Sequence, residues 1–201
     1  FSFFIILNFK LRVGAVYMRY LKILILFPIF IFAVEPNHLL LSRIVVAPDN
    51  AESISIINPT DESINLSDYY ICDDDKYYKM QTEGDLSPSH FINGFTAQFP
   101  NIDIESNDTL LLVLSEDYSL FYMDITPDLF LFLEESESMI ETESGSFGLS
   151  SNKLDDDSES IVLFKWDGNT ENNIEDVDYF IWGGIQGAVD KTGEGNYVED
   201  T

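Results

Sequence analysis

The pattern of hydrophobic and polar residues changes near residue 35 and separates two kinds of sequence. The first 34 residues are mostly apolar, with two dense stretches at 3–9 and 23–32. From residue 39 onward, apolar residues come in short runs that are bounded by Pro, Asn, Asp and Gly. Short runs between turn residues are typical of β-strands rather than of helices.

About eight short strands are predicted after residue 38. The segment 53–56 alternates polar and apolar residues, the period of a half-buried strand, and Asn58 and Pro59 predict a turn directly after it. The other predicted strands are rich in branched aliphatic and aromatic residues: 39–47, 64–71, 77–80, 110–114, 129–133, 161–164 and 177–182. At most a short helix is expected, at 118–123. Many short strands separated by turns predict an all-β fold and favour a β-sandwich.

Aromatic residues supply much of the predicted core. In the segment 177–181, Val177, Tyr179 and Ile181 alternate with the other two residues, so we expect these three to face the core. Trp166 and Trp182 are interpreted as core residues rather than as platforms that stack on a ligand.

The first 34 residues contain four basic residues and no acidic one. A basic segment at 18–22, ten apolar residues at 23–32 and Ala33 together predict a secretory signal peptide at 18–34, whose apolar run is short for a membrane span. An uncleaved signal anchor is the alternative. Residues 1–17 are interpreted as upstream translation or a non-native extension, with a membrane hairpin of two helices as the alternative.

All 36 acidic residues lie after residue 34, together with six of the ten basic ones, which gives that part a net charge of −30. The acids fall mostly between the predicted strands, where they solubilise the surface and discourage edge-to-edge pairing. Such a charge opposes phosphate groups, so a nucleic acid is not expected as a partner. We expect a protein or a cell-surface component instead, and membrane contact only through the N-terminal segment before cleavage.

Residues suited to catalysis are few. The chain has two histidines, His38 and His90, and one cysteine, Cys72, which is too few for a Cys/His zinc site or a disulfide. Neither a phosphate-binding loop nor a nucleophile elbow is present. Cys72 is interpreted as a small buried or loop residue rather than as a nucleophile. We therefore predict no catalytic residue, no cofactor and no enzymatic activity for this chain.

Calcium is the one metal ion for which the acidic loops offer suitable ligands. It binds six to eight oxygen ligands, and the candidate loops are 73–75, 155–157 and 167–171, the last with Asp178 at the twelfth position. The third loop lacks the glycine that a calcium loop needs at position 6, and 166–169 itself predicts a hairpin turn. No metal ligand is therefore assigned.

Several ordered motifs resemble the lamin-tail domain of bacterial secreted proteins. They are SISIINPT at 53–60, INLSDYYI at 64–71, FTAQFP at 95–100, FGLS at 147–150, IVLF at 161–164, DVDYFIWG at 176–183 and AVDKTG at 188–193. Two positions depart from the family pattern, since Ser55 replaces a usual Glu and Cys72 replaces a small polar residue. The resemblance implies an immunoglobulin-like β-sandwich over 39–201, truncated at its C-terminus.

The resemblance and the N-terminal segment together predict a secreted or cell-surface module without catalytic activity, used for binding, adhesion or spacing. The alternative is an accessory domain of an extracellular hydrolase, for example a nuclease, whose catalytic part lies beyond residue 201. A nuclear lamina-like scaffold is disfavoured because no long heptad rod precedes the domain. The sequence does not predict the ligand or the oligomeric state.

Overall fold

The computed structural model describes residues 5–8, 22–25, 36–80, 94–115, 117–132, 138–142, 145–148, 153–169, 171–184 and 188–192. The chain divides into two compact units, 1–34 and 35–201. In the first unit, β1 (Ile5–Asn8) pairs antiparallel with β2 (Lys22–Ile25). Most of the predicted signal peptide lies outside the described residues. None of the helices in the described segments is long and apolar enough to span a membrane.

The second unit consists mainly of β-strands in its described residues, which confirms the all-β part of the predicted fold class. Its strands are β3 (Leu40–Val45), β4 (Ser53–Ile57), β5 (Ile64–Asn65), β6 (Tyr69–Cys72), β7 (Thr96–Gln98), β8 (Asp103–Ile104), β9 (Thr109–Val113), β10 (Leu129–Phe130), β11 (Ile140–Glu141), β12 (Glu159–Lys165) and β13 (Glu175–Trp182). Short helical turns occur at Asp49–Ala51, Tyr77–Lys79 and Tyr118–Phe121. The last of these confirms the expected short helix.

Two larger sheets organise this unit. The first has the strand order β10-β9-β4-β3 and is antiparallel except for the β9–β10 pair. The second has the order β11-β7-β6-β12-β13 and is antiparallel throughout. The strands β5 and β8 form a separate pair. The edge strands β3 and β13 are connected, since the backbone N–H of Leu41 donates to a carboxylate oxygen of Asp178 at 2.6 Å.

One buried cluster draws on both sheets. Ile54 and Ile56 of β4 belong to it, as do Ile71 of β6 and Ile161 and Leu163 of β12. Within each strand these residues are two apart, and side chains two apart point to the same face of a sheet. The core therefore contains the alternate apolar residues that the sequence places in these strands.

The second sheet is also buried on its opposite face. Tyr70 of β6 and Phe164 of β12 lie there, with their rings stacked 5.2 Å apart between centroids. Residues outside the sheet cover them: Tyr77, Tyr78, Met80, Trp166 and Ile174. Burial on both faces explains why β6 and β12 are almost continuously apolar instead of alternating. The prediction of Trp166 as a core residue is confirmed, and Trp182 packs, half-buried, against the first cluster.

Cys72 lies in this second layer and is fully buried, which confirms its interpretation as a buried residue. Burial raises the pKa of its thiol well above the usual value, and the negative charge of Asp73 acts in the same direction. A thiol that is both buried and protonated is a poor nucleophile. The side chain therefore serves packing.

The turn after β4 is stabilised by Asn58, as its position before Pro59 predicts. The side-chain amide of Asn58 donates to the carbonyl oxygens of Glu62 at 2.7 Å and Ile104 at 2.9 Å. Its side-chain oxygen accepts from the backbone N–H of Thr60 at 3.1 Å. The buried asparagine thus takes the place of several backbone partners in the turn.

The strand predicted at 77–80 is wrong, because the segment begins with the 3₁₀ turn Tyr77–Lys79. The cause is the preceding aspartate: a side-chain oxygen of Asp74 accepts from the N–H of Lys76 at 2.8 Å, and its carbonyl accepts from Tyr77. These local hydrogen bonds close a turn, and Tyr77 and Tyr78 then pack over the second sheet. The short strands β7, β8 and β11 were not predicted, because two or three residues do not establish a period.

The prediction that Val177, Tyr179 and Ile181 all face the core is also wrong, because Tyr179 and Ile181 are exposed. The pairing of β12 with β13 contains a bulge: Leu163 is opposite Asp178, whereas Phe164 is opposite Asp176. Val177 has no counterpart, so the alternation shifts by one residue along β13. The consequence is that Tyr179 and Ile181 do not follow Val177 into the core.

Candidate functional site

Four ionisable residues gather at one end of the core, and we call them the acid–lysine cluster. They are Glu52, Asp73, Lys153 and Glu159. Each of the three carboxylates lies two residues from a buried core isoleucine, namely Ile54, Ile71 and Ile161: Glu52 directly precedes β4, Asp73 directly follows β6 and Glu159 begins β12. Because residues two apart share a face, the strands direct all three carboxylates toward the core.

Glu52 and Glu159 hold the segment that carries the lysine. The carboxylate of Glu52, which is 1% exposed, accepts from the backbone N–H groups of Lys153 at 2.9 Å and Leu154 at 3.2 Å. The carboxylate of Glu159 accepts from the N–H of Asp155 at 2.9 Å. Three consecutive N–H groups are thus bound by acids from two different sheets. Burial raises the pKa of Glu52, and it raises that of Glu159 to about 7.

The Lys153 side chain is buried at the centre of the cluster. Its Nζ donates to the carbonyl oxygen of Phe147 at 2.5 Å and lies 4.8 Å from the centroid of the Phe132 ring. No carboxylate oxygen of the described residues lies within 4.0 Å of it. Burial lowers the pKa of Lys153 to about 8, although the charges of Asp73 and Glu52 oppose that shift.

Asp73 is the least satisfied member. One carboxyl oxygen accepts from the backbone N–H of Phe95 at 2.7 Å, whereas Oδ2 is buried and has no hydrogen-bond partner among the described residues. Burial raises the pKa of this carboxyl well above its usual value, and the charge of Glu159 raises it further. An unpartnered buried carboxyl oxygen costs roughly 1–3 kcal/mol, so it calls for a chemical explanation.

The raised pKa of Glu159 predicts a pH-dependent stability. The folded protein holds this proton up to about pH 7, whereas the unfolded chain releases it near its ordinary value of 4.5. The free energy of unfolding therefore falls as the pH rises from about 4.5 to about 7, by about 2 to 3 kcal/mol from this group. Urea denaturation of the wild type and Glu159→Gln at pH 5 and pH 8 measures it. We expect a smaller loss in the variant, and an equal loss in both proteins would contradict the assignment.

A cleft of about 700 Å³ follows the edge strand β13 in the same unit. Among the residues that line it are Glu175, Asp176, Asp178, Tyr179, Lys165 and His38. Asp176 is engaged by the Tyr77 hydroxyl and by an ion pair with Lys191. The cleft therefore combines several carboxylates with aromatic side chains.

The strand β13 ends its sheet and presents apolar side chains to solvent. Tyr179, Phe180 and Ile181 are 40%, 44% and 38% exposed. Natural edge strands are usually short, charged or covered, because exposed edges pair with other chains. An eight-residue edge strand with three exposed apolar residues is therefore a candidate interaction surface.

The residues considered for catalysis and calcium binding do not form a site in the described segments. His38 lines the cleft and contacts its neighbour Asn37, and His90 lies outside the described residues. Asp155 uses one oxygen for its own turn, accepting from the N–H groups of Asp157 and Ser158. No group of three or more Cys, His, Asp or Glu side chains in the described ranges is placed to hold a metal ion.

The loop at 167–171 is likewise a hydrogen-bonded turn. The Asp167 carboxylate accepts from the backbone N–H of Asn169 at 2.9 Å and from the side chain of Asn172 at 2.6 Å. Gly168 has a φ of 76°, the left-handed conformation that such a turn favours. Asp178, its expected twelfth ligand, instead binds the backbone of β3.

Comparison with known proteins does not assign the chain to a family. No protein-family model matches the sequence, and no curated protein matches it.

Proposed function

We propose that this chain is an exported, non-catalytic binding module of the lamin-tail type, with an immunoglobulin-like β-sandwich fold. Two sheets that share one buried cluster support the fold. The motifs that carry the resemblance coincide with structural features, since SISIINPT covers β4 and its asparagine turn, and DVDYFIWG covers β13. The basic and apolar N-terminal segment supports export.

The edge strand β13, with its exposed apolar side chains, is the observation that carries the binding role. An extended segment that adds to a sheet edge gains backbone hydrogen bonds, and pockets for alternate side chains provide selectivity. Tyr179, Phe180 and Ile181 offer apolar area along this edge, and the adjacent cleft is rich in carboxylates. The net charge of −26 further favours a cationic partner through electrostatic steering. We infer that the partner is a protein that presents an extended basic segment.

A synthetic peptide that alternates lysine and valine tests this role. Fluorescence anisotropy with the full chain should show binding that weakens as salt is added, whereas a peptide that alternates glutamate and valine should not bind. The double variant Tyr179→Lys with Ile181→Lys should weaken binding about tenfold or more, which corresponds to about 1.4 kcal/mol.

The matched control is the double variant Leu120→Lys with Met123→Lys, because these residues are 78% and 88% exposed and lie in or just after a helical turn outside β13. This variant adds the same two lysines to exposed apolar residues elsewhere and should bind the lysine–valine peptide like the wild type. Equal loss in the control and in the β13 variant would contradict the proposal, as would equal binding of the two peptides.

A further inference from the structure

The acid–lysine cluster holds a buried amine and a carboxyl group. Two such groups can condense to an amide bond with the loss of one water. We propose that Lys153 and Asp73 condense to an isopeptide bond between Lys153 Nζ and Asp73 Cγ. The inference goes beyond the binding role, because it concerns the core and not β13. Two observations among the described residues support it: Asp73 Oδ2 has no hydrogen-bond partner there, and the buried Lys153 Nζ has no carboxylate oxygen within 4.0 Å.

Both groups lie near the peptide unit that joins Gly94 to Phe95, and the charge of Asp73 acts on Lys153 more than that of any other group. The N–H of Phe95 binds Asp73, and the carbonyl oxygen that precedes this N–H belongs to Gly94. A Cβ added to Gly148 would clash with that oxygen and would lie 3.4 Å from Lys153 Nζ. The amine and the peptide unit that binds Asp73 are thus both close to the same glycine. The glycine has a φ of 62°, and the absence of a side chain there leaves the pocket open.

The pocket also favours the reactive forms of both groups. Condensation needs a neutral amine and a carboxylic acid, whereas in water an exposed lysine and aspartate form ammonium and carboxylate, which do not react. The pKa of about 8 makes roughly a tenth of Lys153 neutral at pH 7, several hundred times more than for an exposed lysine. Burial raises the pKa of Asp73 and favours its protonated form.

The reaction is balanced without an oxidant or a second substrate. Rotation of the lysine side chain moves Nζ from the Phe147 carbonyl to Cγ of Asp73, where its lone pair forms the C–N bond. The C–O bond then breaks, and the hydroxyl leaves as water with a proton from the amine. In this scheme Glu159 transfers that proton, since its charge acts on Asp73 more than that of any other group and its pKa of about 7 suits proton exchange at neutral pH. The product connects the end of β6 to the segment held by Glu52.

Peptide mass spectrometry of the purified full chain tests the bond. Trypsin does not cleave at an acylated lysine, so the cross-linked protein should yield residues 44–76 joined to 80–165, lighter than the two peptides by one water. Lys153→Arg and Asp73→Ala should each release 44–76 as a free peptide. Lys165→Arg, which changes a lysine outside the cluster, should retain the joined product.

A variant of Glu159 tests the same bond if Lys153→Arg and Asp73→Ala fold poorly. Glu159→Gln should fold, as urea denaturation will show, and should give at least tenfold less joined product after the same time. Free 44–76 as the main product of the folded wild type would overturn the proposal. A joined product that persists in Lys153→Arg would overturn it as well.

Discussion

Replacing Glu52 with alanine should lower the free energy of unfolding by about 3 kcal/mol. The carboxylate is buried and accepts from two backbone N–H groups, those of Lys153 and Leu154. Without it, both donors are buried and unsatisfied, and each such group costs roughly 1–3 kcal/mol. Urea denaturation of the full chain at pH 7 measures the effect.

Two control variants separate the lost hydrogen bonds from the lost charge. Glu52→Gln keeps a side-chain oxygen as acceptor and should cost about half as much as the alanine variant. Glu62→Ala removes an exposed glutamate and should change stability by less than about 0.5 kcal/mol. If Glu52→Ala were as stable as Glu62→Ala, the segment at 153–155 would not depend on the buried acid.

Phe164→Ala should destabilise the protein by about 3 to 5 kcal/mol. The ring is fully buried, and its centroid lies 5.2 Å from that of Tyr70 and 5.1 Å from that of Tyr77. Removing it leaves a cavity in the layer that covers the outer face of the second sheet, and buried Phe to Ala changes have costs of this size. Thermal and urea unfolding of the full chain both report it.

Phe180→Ala is the matched control, because it removes the same side chain from the neighbouring strand at a position 44% exposed. It should cost less than about 1 kcal/mol. Similar losses in the two variants would mean that the aromatic cover over β6 and β12 is not a packed layer.

The sequence predicts best where local pattern and burial agree. The strands β3, β4 and β9 follow from apolar runs bounded by turn residues, and the turn at Asn58 follows from an asparagine before proline. In each case the predictive signal lies within a few residues, although the strands themselves pair with distant partners, as β4 does with β9. Local chemistry therefore carries enough information to place these elements.

Prediction failed where distant contacts decide the outcome. The exposed residues of β13 depend on a bulge opposite Phe164, and the turn at Tyr77 depends on bonds to Asp74 and on the layer it covers. Neither is visible as a period in the sequence.

The acid–lysine cluster was missed for a similar reason. Glu52 lies two residues before Ile54, and Glu159 lies two residues before Ile161. This spacing places each glutamate on the same face as the core isoleucine, which was a usable signal for burial. Lys153, however, joins them only through tertiary contacts, which no spacing reveals. An acidic residue two positions from the first or last core residue of a strand is therefore worth considering as a buried group.

The central claim, that β13 is the binding edge, is tested most directly by mapping backbone amide NMR shifts of the full chain during titration with the lysine–valine peptide. We expect the largest changes at Glu175–Trp182 and at the residues of the adjacent cleft. Changes that are largest around the exposed residues Leu120 and Met123, or that occur equally with the glutamate–valine peptide, would contradict it.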